Sequence, residues 1–451
     1  MELLDEAPEQ IAVETEEMHP ADLADVAEAL PRERVAALLS ALPPARAADV
    51  LEYLDDDLRT EVLEAMTTRQ AAALVTEMTP DDRADALEEL EDATYEEILS
   101  EIPAEARRET ERLIAYEADT AGGIMTTEFV SVNADTLVED ALAGVRQLAR
   151  GPKHEAMHAI YATDAQNRLQ GVLSLRELLA AVEGSTVGDV AWSEVVSVTP
   201  SADREQVARL TQNYDLVAIP VVDDKNRIIG VVTVDDVIDA LQEEHTEDVQ
   251  KFGGMEALDQ PYTQIGFWQM IKKRAGWLSI LMVSELLTTS VLSHFEGELK
   301  AATVLMLFVP LVMSSGGNSG SQATSLIIRA LALGELRVRD WWRVALREIP
   351  SGMVLGGLLG AIGFCRIVIW QNMGWQNFDP HYLLVATTIA FALVGIVTFG
   401  SLAGSMLPFA LRRLGFDPAS ASAPFVATLV DVTGLSIYFY VAFIILRGTL
   451  L

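Results

Sequence analysis

Cysteine is almost absent: of 451 residues only Cys365 is one, and it lies inside an apolar run. That excludes a disulfide framework and any thiolate metal centre. Basic side chains are scarce over the first 270 residues, 19 Lys and Arg against 58 Asp and Glu. A surface so acidic repels phosphate backbones and anionic headgroups, so nucleic acid is excluded as a partner and divalent cations are the natural counter-ions. The N-terminal Met1-Glu-Leu-Leu-Asp-Glu carries neither the basic nor the apolar part of a secretion signal. The acidic part is therefore expected to stay in the cytoplasm.

The balance reverses after residue 270, with 9 acidic and 13 basic residues over 271–451. Apolar runs at roughly 275–293, 301–333, 348–370, 382–411 and 424–446 predict five membrane helices. Lys272-Lys-Arg274, then Arg337, Arg339, Arg343 and Arg347, then Arg412-Arg413 fall on alternate connections. That pattern puts the N-terminus inside and the C-terminus outside. The run Pro424–Leu446, 23 residues long, has Asp431 as its only charge. An acid at that depth is retained where it faces a cavity, a partner or an ion; the bland alternative is an aspartate bonded to a neighbouring Ser, Thr or backbone group. No His or Cys stands near to favour a soft metal, and Mg²⁺, which keeps most of its waters, needs only one or two carboxylates. Ser314-Ser-Gly316-Gly317-Asn318-Ser-Gly320-Ser-Gln322 is expected to interrupt the second span, with Gly316, Gly317, Asn318, Ala427 and Gly434 lining a path to Asp431. Five helices make a thin wall for a hydrophilic pore, so a two-fold homodimer is the economical assembly. Glu285 lies inside the first span, where it snorkels, pairs across a dimer or lines the path.

The acidic part contains two repeats. Glu28-Ala-Leu30, Ser40-Ala-Leu42, Glu52-Tyr-Leu54, Glu64-Ala-Met66, Thr76-Glu-Met78 and Glu88-Glu-Leu90 recur every 12 residues. Breakers follow each, so the units are short helices that must stack into an all-α superhelical domain over 1–120. Val130-Ser-Val132 with Gly171-Val-Leu-Ser174-Leu-Arg-Glu177, then Val196-Ser-Val198 with Gly230-Val-Val-Thr233-Val-Asp-Asp236, form a second pair of copies, each reading βαββα. They resemble tandem CBS domains, at 121–184 and 185–243. That resemblance implies adenosyl-ligand binding, of ATP or another adenine nucleotide, at Thr233 and Asp236; the first copy has Glu177 where the pattern asks for Asp.

Pro310-Leu-Val-Met-Ser-Ser-Gly-Gly-Asn318-Ser-Gly-Ser-Gln322 and Pro424-Phe-Val-Ala-Thr-Leu-Val-Asp431-Val-Thr-Gly434, with the domain order, resemble the MgtE family of magnesium channels and transporters across nearly the whole chain. The resemblance implies a homodimer, a pore ligand at Asp431 and closure by cytoplasmic Mg²⁺ held between the soluble domains and a connecting plug helix, placed at 244–270. It implies sensor ligands at Asp417, Asp81 and Asp85, and more weakly at Asp49, Asp223, Glu244, Glu247, Asp248, Glu256 and Asp259. Ala423 departs from the Asn that precedes the Pro in some members.

His154-Glu-Ala-Met-His158 fits the H-E-x-x-H zinc-protease string, but follows Gly151-Pro152 and has no third ligand in view. The expectation is thus a multidomain membrane protein: α-superhelix, α/β CBS pair, connecting helix, and five helices over 271–451. Its function is magnesium transport across the inner or plasma membrane, gated by Mg²⁺. A broader Co²⁺, Ni²⁺ or Ca²⁺ transporter of the same build is the alternative.

Overall fold

The computed structural model describes residues 8–150, 159–258, 262, 265–378 and 380–450. Two compact units, Met1–Glu243 and Glu244–Leu451, divide the chain.

The first unit opens with nine short helices among the described residues: α1 Pro8–Glu14, α2 Pro20–Glu28, α3 Arg32–Ser40, α4 Pro44–Glu52, α5 Asp56–Ala65, α6 Thr68–Glu77, α7 Pro80–Glu88, α8 Asp92–Glu101 and α9 Ala104–Leu113. Every one starts 12 residues after the last. The starts are chemically marked. Proline occupies the first turn of α2, α4 and α7, Asp55 accepts from the Asp57 N–H, and Thr67 forms a capping box with Gln70. Helices of seven to ten residues are marginal alone. From α2 on, each packs on the second-next helix: α2 meets α4, α3 meets α5, and so on to α7 and α9. Their inner faces bury Leu23, Val35, Leu51, Leu63, Val75, Leu87 and Ile98 in one core. Polar rungs join the same partners: Glu52 accepts from the Thr79 N–H at 3.2 Å, Arg59 pairs with Glu89 at 3.2 Å, and Arg83 Nε donates to Thr110 at 2.9 Å.

The two CBS copies follow. The first has β1 Val130–Asn133, α10 Val138–Leu148, β2 Ala159–Thr163, β3 Leu169–Ser174, α11 Leu175–Ala180 and α12 Val187–Val190. Its strands lie in the order β1-β2-β3, parallel then antiparallel. The second has α13 Arg204–Tyr214, β4 Ala218–Val222 and β5 Ile228–Thr233, antiparallel. Its expected leading strand at 196–198 is reduced to one bridge between Val198 and Val221. Beyond Val198 the chain instead turns to bond Ala121 and Gly122. The copies clasp each other reciprocally at two left-handed asparagines, Asn167 (φ 60) and Asn226 (φ 59). Asn167 Nδ2 donates to the Ile228 carbonyl at 3.2 Å and Asn226 Nδ2 to that of Leu169 at 3.0 Å.

Helix α14, Val234–Phe252, leaves β5 directly and ends at a Gly253-Gly254 turn. The separate connecting helix expected over 244–270 is therefore corrected: residues 244–252 are the last turns of a helix begun at Val234. Gly254 has φ 78, and an added Cβ would lie 2.9 Å from the Trp277 ring and 3.1 Å from Pro424, so both conformation and space demand glycine.

In the second unit α15 Phe267–His294 and the short α16 Glu296–Ala301 lead through a tight helical turn, Thr303–Phe308, into α17 Val309–Ala332. Then come α18 Trp341–Asn372, α19 Tyr382–Arg413 and α20 Ala423–Leu446. Among the described residues four helices are long and apolar enough to cross a membrane: α15, α18 with the turn before it, α19 and α20. The fifth expected span is α17, 24 residues long but rich in Ser, Gly, Asn and Gln. The interruption expected at 314–322 is not there, since α17 runs unbroken through it. Its glycines serve close packing instead. A Cβ on Gly400 would stand 2.5 Å from the Gly316 carbonyl oxygen, and one on Gly404 2.2 Å from that of Gly320. Ser319 and Ser401 bond at 2.7 Å, and Thr324 donates to the Gly320 and Gly404 carbonyls, each at 2.9 Å. Such small-residue seams are how membrane helices approach without a hydrophobic drive.

Gly404→Val is accordingly expected to cost more than the roughly 1–3 kcal/mol of ordinary overpacking, read as loss of a monodisperse, heat-stable species in detergent. Gly357→Ala, with open space around it, should leave that species unchanged.

Candidate functional site

Asp431 sits on α20, whose start is fixed by Ser422 accepting from the Phe425 N–H at 3.3 Å and by Pro424 in the first turn. The rest of that helix buries Val426, Val430, Leu435 and Tyr438 against its neighbours. Asp431 is half-buried, and among the described residues its carboxylate has no hydrogen bond or ion pair. No Ser, Thr or backbone group among the described residues pairs with it. Ala427 lies one turn before it, with Gly317 directly against it; an added Cβ on Gly317 would be 3.3 Å from the Ala427 Cβ. Asn318 is exposed on the next position of α17. Gly316 and Gly434 are different: both are buried against Ile396 and pack helices.

At the start of α20 a second cluster gathers. Asp417 accepts from the Ala419 N–H at 2.8 Å and from Lys251 Nζ at 2.7 Å, and Lys251 also pairs with Glu247. These two acids push Lys251 up to about 12 although burial opposes its charge. Asp248, beside them, is pushed up to about 6 by burial and then by the charges of Asp417 and Glu244. Glu256 donates its N–H to the Lys273 carbonyl at 3.2 Å. Phe252, the last residue of α14, lines an open cavity of about 500 Å³ with Ser321, Gln322, Ser325, Leu326 and Ala423. The end of α14 therefore borders both α17 and the start of the Asp431 helix.

The first unit holds a larger cavity, about 770 Å³, lined by twelve carboxylates and only two basic side chains, Arg59 and Arg204. Its centre is the meeting of α7 (Asp81, Asp82, Asp85) with the first turns of α14 (Asp236, Asp239). Asp81 is buried, 9 % exposed, and its Oδ1 has no hydrogen-bond partner. Burial, then the charge of Asp82, pushes Asp81 up to about 7. Asp236 is pushed up to about 8 by burial and then by Asp81, and accepts from the Thr233 hydroxyl. Asp85 rises to about 7 for the same reasons, but it keeps contact with solvent, which screens its charge. Among the described residues no three acids or histidines already stand as direct ligands to one metal ion. The cavity suits a cation that retains its waters and is held through them.

Other expected ligands lie apart. Asp49 is exposed on α4, one turn before Glu52, and is not itself among the cavity-lining residues. Asp223 closes the turn before β5, bonded to Arg227 and to the N–H of Lys225, and is held down to about 2 chiefly by the Arg227 side chain. Glu177 caps α11 and accepts from Trp192 Nε1 at 2.6 Å, so the first copy's acid is committed within its own fold. Asp259 and His154–His158 fall outside the described residues. Sequence reading missed Asp55, Asp56, Asp82, Glu89 and Asp239. The signal was present: α5 and α7 start 24 residues apart, two repeats, and second-next helices stack.

Comparison with known proteins agrees with this arrangement. Family descriptions match in chain order: the MgtE intracellular N domain at residues 18–119, CBS domains at 121–184 and 187–243, and the MgtE divalent cation transporter at 309–441. The magnesium transporter MgtE of Thermus thermophilus is 42% identical over 96% of this chain and 94% of its own. The protein of the same name from Bacillus subtilis is 31% identical over 95% and 92%. The crystal structure of the soluble part of a magnesium transporter superposes with a TM-score of 0.50 at 31% identity, covering 54% of this chain and 95% of that one. Relatives aligned over nearly their whole length, and an acid without a partner on an apolar helix, lead to one conclusion: this chain belongs to the MgtE family of divalent cation transporters.

Proposed function

We propose that the chain conducts Mg²⁺ across a membrane past Asp431 and closes when Mg²⁺ fills the acidic cavity and the Asp417 cluster. The observation that carries this is the unpartnered, half-buried Asp431 carboxylate on a helix otherwise apolar. A homodimer brings two such carboxylates to one divalent charge. Basic residues at 272–274, 337–347 and 412–413 put the acidic unit inside the cell.

The acidic cavity supplies the gate. Empty of cations, its crowded carboxylates repel one another, and bound Mg²⁺ replaces repulsion by attraction and favours a compact, closed state. Asp417 just before α20 and Asp248 on α14, with Glu244, Glu247 and Glu256, are the acids through which Mg²⁺ holds the end of α14 in place. An adenine nucleotide at Thr233 and Asp236 would have to bring its own cation, because Asp236 shares the cavity with Asp81.

Purified protein in liposomes containing a Mg²⁺-sensitive dye tests the reading. Uptake should exceed that of protein-free vesicles and fall as Mg²⁺ rises on the side of the acidic unit. Uptake at the protein-free rate would overturn transport, and uptake indifferent to that Mg²⁺ would remove the gate. Equal rates for Ca²⁺, Co²⁺ and Ni²⁺ would favour the broader transporter.

A further inference from the structure

Helix α15 packs along α20, and the partners at its two ends fix how the two helices are aligned. Near the start, Trp277 Nε1 donates to Ser422 Oγ at 3.1 Å. Near the end, Phe295 stacks on Phe439 with ring centres 4.7 Å apart. The helices therefore run in the same direction. At a rise of about 1.5 Å per residue, Glu285 lies about 12 Å beyond Trp277, and Asp431 about 13.5 Å beyond Ser422. Counted back from the stacked rings, they lie about 15 Å and about 12 Å away. Both counts place the two acids at one level, within less than a helical turn.

We propose that Glu285 is a second acid of the cation path, set beside Asp431 by the parallel packing of α15 on α20, and that it raises the preference for hydrated divalent ions. The inference rests on Asp431 being the permeation ligand. The two carboxylates are near enough to repel each other. Among the described residues, Glu285 has no hydrogen bond or ion pair that would neutralise it. An independent observation marks the same place. Thr288, one turn further along the same face, is the buried residue of α15, and its hydroxyl has no partner. Helical threonines elsewhere in this unit, such as Thr387, Thr388 and Thr398, donate to the carbonyl four residues back. Thr288 is thus an unpaired polar group buried one turn from Glu285, on the helix that packs against α20. Two acids per chain, doubled in a dimer, give a field that a monovalent ion compensates poorly and a fully hydrated Mg²⁺ compensates well.

The test uses the full chain in liposomes with three variants: Glu285→Gln, Glu285→Asp and Asp431→Asn. For Glu285→Gln the Mg²⁺ concentration giving half-maximal uptake should rise about tenfold. Block by hexaamminecobalt(III), an inert mimic of hydrated Mg²⁺, should weaken by a similar factor. Glu285→Asp, which keeps the charge, should stay near wild type in both. Wild-type values for Glu285→Gln while Asp431→Asn is inactive would overturn the role of Glu285 alone. Equal defects in the Gln and Asp variants would also overturn it, because shape and not charge would then be at work. Wild-type uptake in Asp431→Asn would instead remove the permeation reading beneath it.

Discussion

Asp431→Ala is expected to lower Mg²⁺ uptake in liposomes by at least about a hundredfold. A doubly charged ion about 5 Å from a carboxylate gains several kcal/mol at an effective dielectric near 20. Val426, Val430 and Leu435, the buried neighbours along α20, are apolar. Asp431→Asn should be nearly as inactive, because it keeps the shape and removes the charge. Asp431→Glu should retain part of the flux. Since Asp431 has no hydrogen bond to lose, all three variants should assemble as the wild type does, which separates transport from folding. Uptake at the wild-type rate in Asp431→Ala would take the residue out of the path.

The second large effect is a stability that falls with rising pH and is restored by Mg²⁺. Asp81 is raised from an ordinary value near 3.8 to about 7. Between those values the folded chain binds a proton that the unfolded chain has released, so stability is lost as pH climbs through that window. For a group buried as deeply as Asp81 the loss approaches roughly 4 kcal/mol, and a unit of this size moves about 2–4 °C per kcal/mol. Asp236 and Asp85 add in the same direction, Asp85 less because solvent screens it. Calorimetry of the full chain without Mg²⁺ should show the soluble unit melting lower at pH 8 than at pH 5, by about 10 °C. Added Mg²⁺ should raise the transition more at pH 8 than at pH 5, where Asp81, Asp85 and Asp236 hold protons. Asp81→Asn, neutral and of the same shape, should melt higher than wild type at pH 8 in the absence of Mg²⁺. A flat pH profile, or one that rises, would dissolve the link between the cavity and the cation.

Much of this architecture was legible beforehand for a physical reason. Twelve residues make one short helix and its breaker, and prolines or capping residues at 20, 44, 67 and 80 stamp that length on the sequence. Asp431 was legible because a lone charge in an apolar run has few harmless explanations. The error at 314–322 came from local propensity. Glycine, serine and asparagine weaken an isolated helix, but here they let α17 touch α19 backbone to backbone, and packing outweighs propensity. The acidic cavity stayed hidden because its members are scattered from Glu28 to Glu243, and only second-next stacking with the return of α14 brings them together. Thr303–Phe308, where the chain does tighten, is plainly apolar and carries no sign of it.

The crossed asparagines of the two CBS copies carry a consequence for how they hold together. Each copy donates a side-chain amide to close the hairpin of the other, so neither hairpin is complete by itself. The exposed peptide at Ser193-Glu194, beyond α12, is then a convenience, not a structural member. Nicked there, the halves should stay associated as complementary fragments, and loss of both amides should loosen that association while the backbone bonds at Leu169 and Ile228 and the apolar cluster they share still hold.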